Sequence, residues 1–342
     1  MENNLPMAYP PINGYTSLTN MLAILYGNTD IHIPWFYNHY VQLVSSKDPM
    51  MRLSGNFYDD ININFIPIAN SCPFIDVQRF NRRTIGLSST VLTEFVEHQI
   101  NLGYYVQFFL DQYFLSCSEY YQKEHLFHQT LVYGFDKEEK KIFITDFSYN
   151  NKFVMTSISY DELNESGRIP AIQDEKVEYG FSLLFKYCDN NYKFNTDLLL
   201  NNLKGYLDAV DSSYGFKFSY SHCDESKFSF GLKYYDSIIE YRPYNNELLE
   251  LKAFHVLHCH KVLMELRLKY LLENNYLKES QTLEMQFKEL TTETLVLKNM
   301  VNKFNFSKNE NLLQNIYTKC YELKEKDKQA TNNFYDSIHL NT

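Results

Sequence analysis

The sequence predicts an α+β protein in which a sheet-forming N-terminal part is followed by a mostly helical C-terminal part. Before residue 190, short apolar runs rich in β-branched and aromatic residues are typical of strands. After it, apolar residues recur with the helical period of about 3.6 residues. A chain of 342 residues exceeds the size of about 250 at which single cores stop growing, so we expect two domains, 1–190 and 191–342.

The first predicted element is a helix near the N-terminus. The stretch INGYTSLTNMLAILYG, residues 12–27, is typical of a short loop that leads into an apolar helix. Four apolar residues follow at the spacing of a buried helix face: Leu18, Met21, Leu22 and Leu25. This spacing leaves Ser17 at the start of the helix, where Thr16 competes with it as the N-cap.

A second helix and four strands are predicted next. The helix is SSTVLTEFVEHQI, and the strands are YYVQFFLDQYFL (104–115), HQTLVYGFD (128–136), KKIFITDF (140–147) and GFSLLFKYC (180–188). The polar stretch FDKEEKKI forms a turn between the second and third strands. We therefore expect a sheet that is antiparallel in part.

The remainder of the chain is predicted to form a helical bundle or an array of helical hairpins. Charged faces lie opposite apolar faces in five segments: 194–210, 230–242, 247–275, 285–304 and 310–338. Long amphipathic helices often form dimer interfaces, so the sequence leaves open whether the chain forms a homodimer.

Charge and hydropathy exclude two classes of partner. The 32 basic and 42 acidic residues give a net charge of −10 and are mixed along the chain, which argues against nucleic-acid binding. No apolar run is long enough to span a membrane, and the N-terminus lacks the features of a secretion signal. We therefore expect a cytoplasmic protein.

No metal or resident cofactor is expected. The six cysteines are scattered without CxxC pairs, so they are most simply free and buried. In HVLHCH, the residues His255, His258 and Cys259 fall at helical offsets that could share one face. Structural zinc needs four ligands, and no second cluster supplies the rest, so this motif indicates helix packing.

His128 and Asp146 are the strongest candidates for chemistry. If the two strands joined by the FDKEEKKI turn are neighbours, the end of the second lies beside the start of the first, and these residues meet. A carboxylate beside an imidazole fixes its tautomer and stabilises the imidazolium that a general base forms. A nucleophile at the N-terminus of a helix packed nearby would complete a catalytic triad.

These motifs resemble the papain-like fold of C39-type cysteine peptidases. The sequence is more closely similar to the butirosin-biosynthesis-protein-H-like proteins of thiotemplated peptide and antibiotic assembly, and similar in kind to the cysteine-protease homologue of closthioamide assembly. DQYFLSCSEYYQKEHLFHQTLVYGFD is the most specific match, and FGLKYYDSIIEY with the long helix after it resembles the family's helical C-terminal region. The resemblance implies an N-terminal nucleophile helix packed on an antiparallel sheet.

The implied function is amide formation by transfer of an acyl group to an amine from the thioester of an acyl or peptidyl carrier protein. The acyl group would pass through a covalent acyl-enzyme, and the phosphopantetheine arm belongs to the carrier. Hydrolysis of a thioester or peptide is the related alternative. A catalytically silent module that binds a carrier protein or peptide is the alternative from a different class.

The nucleophile departs from the family pattern, which has a cysteine at the start of the first helix. No cysteine precedes Cys72, and Ser17 stands in the best position. A second register would put Gly14 or Tyr15 there and leave no nucleophile. Three explanations of a serine stay open: a native serine nucleophile, an engineered replacement of cysteine that traps substrate, and a natural pseudoenzyme.

Further candidates surround this triad. The resemblance implies a Gln or Asn that donates to an oxyanion hole, and Asn13 stands near that position. Asp111 is a charge within an apolar strand, so it either pairs with a core partner or lines the cleft. We assign it to substrate binding together with Tyr113, Tyr120 and His125.

A carrier protein is typically acidic, so a chain of net charge −10 would need a local basic surface to receive it. The clearest candidate is QRFNRRT, which contains Arg79, Arg82 and Arg83. A second candidate is the group formed by Lys261, Arg267 and Lys269. An ordinary solvated loop is the alternative interpretation of the arginines.

Overall fold

A computed structural model describes residues 2–47, 72–83, 87, 92–149, 152–168, 181–211, 228–241, 248–278 and 280–339, together with the strand Gly55–Phe57. Contacts divide the chain into two compact units, Met1–His32 with Pro67–Tyr192 and Ile33–Ile66 with Lys193–Thr342. One boundary falls close to the predicted division at residue 190. The segment Ile33–Ile66, however, groups with the C-terminal helices and not with the sheet.

The first unit is built on an antiparallel sheet. Its described strands are β1 (Glu2–Asn4), β4 (Ile75–Asn81), β5 (Tyr104–Asp111), β6 (Phe127–Asp136), β7 (Lys141–Tyr149), β8 (Lys152–Ser159) and β9 (Phe181–Tyr187). The spatial order is β4-β9-β5-β6-β7-β8, and β1 pairs with the end of β6. A side chain at Gly134 would lie 2.8 Å from the Asn3 carbonyl oxygen, so glycine allows β1 to approach β6 there.

Three described helices belong to this unit: α1 (Thr16–Asn28), α3 (Leu92–Asn101) and α4 (Tyr160–Ser166). Residues Leu18–Leu25 of α1 are buried on every side, and α1 contacts β6, β7 and β9. The apolar stripe of α3 packs in a core cluster with the inward residues of β5, β6 and β7, which are Val106, Phe108, Leu110, Val132, Ile142 and Ile144. Both α1 and α3 therefore lie against the sheet.

The second unit is mostly helical. Its described helices are α2 (Ile33–Asn38), α5 (Thr196–Asp208), α6 (Lys233–Glu240), α7 (Leu251–Glu273), α8 (Gln281–Ser307) and α9 (Glu310–His339). A small antiparallel sheet has the order β10-β2-β3, formed by Phe228–Phe230, Leu43–Ser46 and Gly55–Phe57. The predicted α+β class is therefore confirmed, with a mostly helical C-terminal part. None of the helices in the described ranges is long and apolar enough to cross a membrane.

A fully buried ion pair lies inside this helical unit. Lys261 of α7 and Asp327 of α9 have no solvent exposure, and their charged groups are in direct contact. The hydroxyls of Tyr206 and Tyr235 also donate to Asp327 Oδ2, at 2.6 Å and 3.1 Å. Burial lowers the pKa of Lys261, and the charge of Asp327 opposes that shift.

Candidate active site

The sheet register brings His128 and Asp146 together at one end of β6 and β7. The strands are antiparallel with Leu131 opposite Thr145, so the start of β6 lies beside the end of β7. His128 Nδ1 lies 2.9 Å from Asp146 Oδ1. A carboxylate only accepts, so Nδ1 carries the proton and Nε2 is left as the basic nitrogen. The predicted meeting of these two side chains is confirmed.

Asp146 is 1% exposed, and its carboxylate accepts from four donors. Oδ1 accepts from His128 and from the Phe147 backbone N–H at 2.6 Å, and Oδ2 accepts from Gln112 Nε2 at 2.7 Å and Thr130 Oγ1 at 3.0 Å. A buried carboxylate is costly unless it is hydrogen-bonded, and these four donors stabilise its charge. Gln112 and Thr130 were not predicted from the sequence.

The hydroxyl described beside the imidazole belongs to Thr16, the first residue of α1. Thr16 Oγ1 lies 3.4 Å from His128 Nε2, and the His128 side chain is 34% exposed, so solvent reaches the imidazole. Catalytic hydrogen bonds are often long in the absence of substrate, and this distance is in that range. The three side chains form a hydroxyl–imidazole–carboxylate series.

Ser17 is the next residue of α1, and a one-residue step rotates the side-chain direction by about 100° around a helix. The sequence alone indicates Thr16 only as a competing N-cap. Ser17 and Asn13 are both half-buried. Their assigned roles as nucleophile and oxyanion donor stay predictions.

A buried polar network holds α1 against the sheet. Asn20 lies one helical turn after Thr16 and is 1% exposed. Its Nδ2 donates to Gln107 Oε1 of β5 at 3.1 Å, and its Oδ1 accepts from Thr145 Oγ1 of β7 at 2.8 Å. Since Thr145 precedes Asp146, the network ties the helix that carries Thr16 to the strand that carries Asp146.

A second histidine–carboxylate pair lies beside the first along the chain. His125 Nδ1 lies 2.7 Å from Asp111 Oδ2, and the imidazole stacks on the Tyr113 ring with centroids 4.2 Å apart. Asp111 thus pairs with a histidine whose side chain is 62% exposed, and not with the core partner that one of the two interpretations expected. Tyr120 is half-buried, and its backbone N–H donates to Ser118 Oγ at 3.1 Å. The assignment of these residues to substrate binding stays a prediction.

The prediction that Arg82 belongs to a carrier-binding surface is wrong, because Arg82 is buried. This side chain is 1% exposed, donates from Nη1 to the Gly167 carbonyl at 2.7 Å and lies over the Phe108 ring. Burial lowers its pKa to about 10. Arg82 therefore stabilises the core and does not steer a partner, whereas Arg79 and Arg83 are exposed.

The prediction of a second basic surface is also wrong. Lys261 and Arg267 have no solvent exposure, and of the three residues only Lys269 is exposed. Lys261 neutralises Asp327, as described above. Arg267 donates from Nε to the Tyr37 carbonyl at 2.8 Å. Both cations are part of the interior of the second unit.

HVLHCH forms helix contacts in the described part of the chain. His255 Nε2 lies 3.7 Å from Cys259 Sγ, and His258 Nδ1 lies 3.3 Å from Thr294 Oγ1 of α8. Burial lowers the pKa of His258 to about 4. The described residues contain no group of three or more side chains that could hold a metal ion.

Two of the buried cysteines in the described ranges are poor candidates for a nucleophile. Burial raises the pKa of Cys72 and of Cys320 to about 12, which suppresses the thiolate. No disulfide joins the five cysteines within the described ranges, and the sixth, Cys223, lies outside them.

No family model matches the sequence, and no curated protein matches it either.

Proposed function

We propose that the chain is a papain-like acyltransferase in which Thr16 carries the acyl group, His128 is the general base and Asp146 orients and stabilises His128. One observation carries the proposal. Thr16 Oγ1, at the start of α1, lies 3.4 Å from His128 Nε2, and His128 Nδ1 lies 2.9 Å from Asp146 Oδ1. Nucleophilic acyl transfer requires this order of groups.

The first half-reaction would proceed as follows. Thr16 Oγ1 attacks the carbonyl carbon of a thioester while His128 Nε2 takes the hydroxyl proton. The tetrahedral intermediate collapses, the carbon–sulfur bond breaks, and the leaving thiolate takes the proton from His128. The products are an ester on Thr16 and a free thiol, so atoms and charge balance.

In the second half-reaction, a neutral amine attacks the Thr16 ester, and His128 takes a proton from the amine nitrogen. When the carbon–oxygen bond breaks, that proton passes to Thr16 Oγ1, and the amide leaves. The ionised Asp146 stabilises the imidazolium in both halves. Water in place of the amine would give the free acid.

The start of α1 suits the oxyanion of both intermediates. Tyr15 is the N-cap residue and makes no side-chain cap hydrogen bond. Backbone N–H groups in the first turn of a helix have no intrahelical acceptor, and the helix dipole favours negative charge there. Asn13 is the side-chain donor in this proposal.

The proposed donor is an acyl or peptidyl carrier protein, whose phosphopantetheine arm delivers the thioester. This part rests on the sequence resemblance, whereas the cytoplasmic location stays a prediction from the hydropathy of the sequence. Arg79 and Arg83 are the exposed cations available for an acidic carrier. The proposal requires no metal and no resident cofactor.

A silent binding module is the second candidate, and the identity of the nucleophile favours it. Thr16 offers a secondary alcohol where the family resemblance implies a thiol, and an alcohol is the weaker nucleophile. The same scaffold could then hold a carrier or peptide without chemistry.

Product analysis separates the two candidates. The chain would be incubated with an acyl-pantetheine thioester and an amine, with amide, free acid and thiol measured by mass spectrometry. We expect amide formation that falls by about 10²–10⁴-fold in His128→Ala. The matched control is His98→Ala, since His98 is an exposed histidine of α3.

Binding of an acyl carrier protein without amide, acid or thiol release would support the silent module and contradict the enzyme. Free acid in place of amide would assign hydrolysis. Equal rates in His128→Ala and wild type would remove His128 from the mechanism.

A further inference from the structure

His125 is held in one orientation although it lies at the surface. Its side chain is 62% exposed, yet its Nδ1 is bound to Asp111 and its ring stacks on Tyr113 at an interplanar angle of 22°. An exposed side chain ordinarily keeps its rotamer freedom, and fixing it costs free energy. The Asp111 bond puts the proton on Nδ1 and leaves Nε2 as the basic nitrogen.

Asp111, the carboxylate that binds this imidazole, is itself held in place. Asp111 is 4% exposed, and its second oxygen accepts from the Tyr113 backbone N–H at 3.1 Å. The next residue, Gln112, donates to Asp146. Asp111 at the end of β5 is therefore the carboxylate of one histidine pair, and Gln112 just after β5 donates to the carboxylate of the other.

The two histidine pairs are anchored at adjacent positions of the β5–β6 ladder. Asp111 pairs with Phe127, and Leu110 pairs with His128, across β5 and β6. His125 and His128 are three residues apart, so their Cα atoms are separated by at most about 11 Å. The backbone of His125 is therefore close to that of His128.

The second half-reaction needs two bases when the acceptor is an ordinary alkyl amine. Such an amine is an ammonium near neutral pH, since the lysine amine has a pKa of about 10.4. It must lose one proton before it can attack and a second proton during attack. His128 takes the second proton, so a separate group has to take the first.

We propose that His125 is a second catalytic base, which deprotonates the ammonium form of the acceptor before it attacks the Thr16 ester. This inference rests on the proposed function. The proton moves from the ammonium nitrogen to His125 Nε2, the amine nitrogen keeps the electron pair, and the exposed imidazolium then releases the proton to water. Asp111 stabilises that imidazolium, and Tyr113 holds its ring.

The competing explanation is structural, because His125 also partners a buried carboxylate. The dependence of the rate of amide formation on the basicity of the acceptor separates a catalytic from a structural role of His125. Loss of a catalytic base slows only an amine that arrives protonated. Methoxyamine is weakly basic and is already neutral at pH 7, so it needs no first deprotonation. A structural defect would slow both amines equally.

The experiment compares wild type, His125→Gln, Asp111→Asn and the control His98→Gln at pH 7. Each is given an acyl-pantetheine thioester with either a primary alkyl amine or methoxyamine, and amide and thiol release are followed separately. We expect His125→Gln to lose about 10²-fold more of its rate of amide formation with the alkyl amine than with methoxyamine. Asp111→Asn keeps an acceptor for Tyr113 and should show the same selective loss.

Equal loss with both amines, or no loss with either, would overturn the role of His125 while thiol release continued to support the proposed function. Absence of thiol release in wild type would overturn the proposed function itself, and this inference with it. Unfolding curves of the four proteins show whether each variant is folded.

Discussion

Replacement of Asp146 by asparagine should remove most of the activity at small cost in stability, whereas alanine should reduce both. An asparagine can keep its oxygen toward His128 and put its NH₂ group in the place of Oδ2. Thr130 can then rotate its hydroxyl to accept. Gln112 can turn its amide, because its Oε1 is buried and has no hydrogen-bond partner within the described chain.

The magnitudes follow from the four hydrogen bonds. Asparagine exchanges charge-assisted hydrogen bonds for neutral ones, which should lower the free energy of unfolding by about 1–2 kcal/mol. Alanine leaves the buried donors of Gln112 and Thr130 without an acceptor, and at about 1–3 kcal/mol each the loss should be about 2–6 kcal/mol. Both variants lack the charge that stabilises the His128 imidazolium, so amide formation should fall by about 10²–10⁴-fold.

Urea unfolding followed by circular dichroism and the rate of amide formation measure the two effects independently. Activity of Asp146→Asn close to wild type would refute the role of the carboxylate charge. A free energy of unfolding equally reduced in both variants would refute the assignment of Gln112 and Thr130 as donors that can adapt.

Further predictions concern stability. Asp327→Leu alone should lower the free energy of unfolding by about 3–5 kcal/mol, and Lys261→Met added to it should restore most of that loss; a double variant as unstable as the single one would contradict the uncompensated-charge explanation. Folding holds the pKa of His258 at about 4, below its ordinary 6.5. The contribution of the neutral imidazole to the free energy of unfolding is therefore fully present above pH 6.5 and is lost as the pH falls toward 4. His258→Gln should flatten the pH dependence of the free energy of unfolding in this window, and an unchanged slope would contradict this. Arg82→Glu should lower the free energy of unfolding by about 3–5 kcal/mol because it buries an unpaired carboxylate, whereas Arg83→Glu should leave it unchanged; thermal denaturation of both would show this, and equal melting temperatures would contradict it.

The sequence was most informative where local rules determine geometry. A short polar turn between two apolar runs predicts a hairpin, and hairpin pairing brings His128 beside Asp146 without knowledge of the remaining fold. Strands β5, β6, β7 and β9 and the helices α1, α3 and α5–α9 were predicted for the same reason, since their periods are long enough to read, whereas β4, β8 and α4 were not predicted. The strands of the small sheet, such as Leu43–Ser46 and Phe228–Phe230, are too short for a periodic signal and pair across a long sequence separation.

The residues that were missed or misplaced depend on tertiary contacts. Apolar spacing predicts the buried face of α1, yet it leaves the helix start uncertain by one residue, which is the difference between Thr16 and Ser17. Gln112 and Asn20 carry no local signal, because a buried polar residue is explained only by partners on other strands. Arg82 has the sequence signature of a surface charge and is buried only because the Gly167 carbonyl and an aromatic ring receive it.

Intact-mass measurement of Thr16→Cys and Ser17→Cys after exposure to an acyl-pantetheine thioester tests the central claim most directly. A thiol at the position facing His128 should accumulate an acyl adduct, and peptide mapping would locate it. We predict an adduct at position 16 in Thr16→Cys, its loss when His128→Ala is added, and none at position 17 in Ser17→Cys. An adduct at position 17 alone, or none in either variant while an acyl carrier protein still binds, would contradict acyl transfer at Thr16.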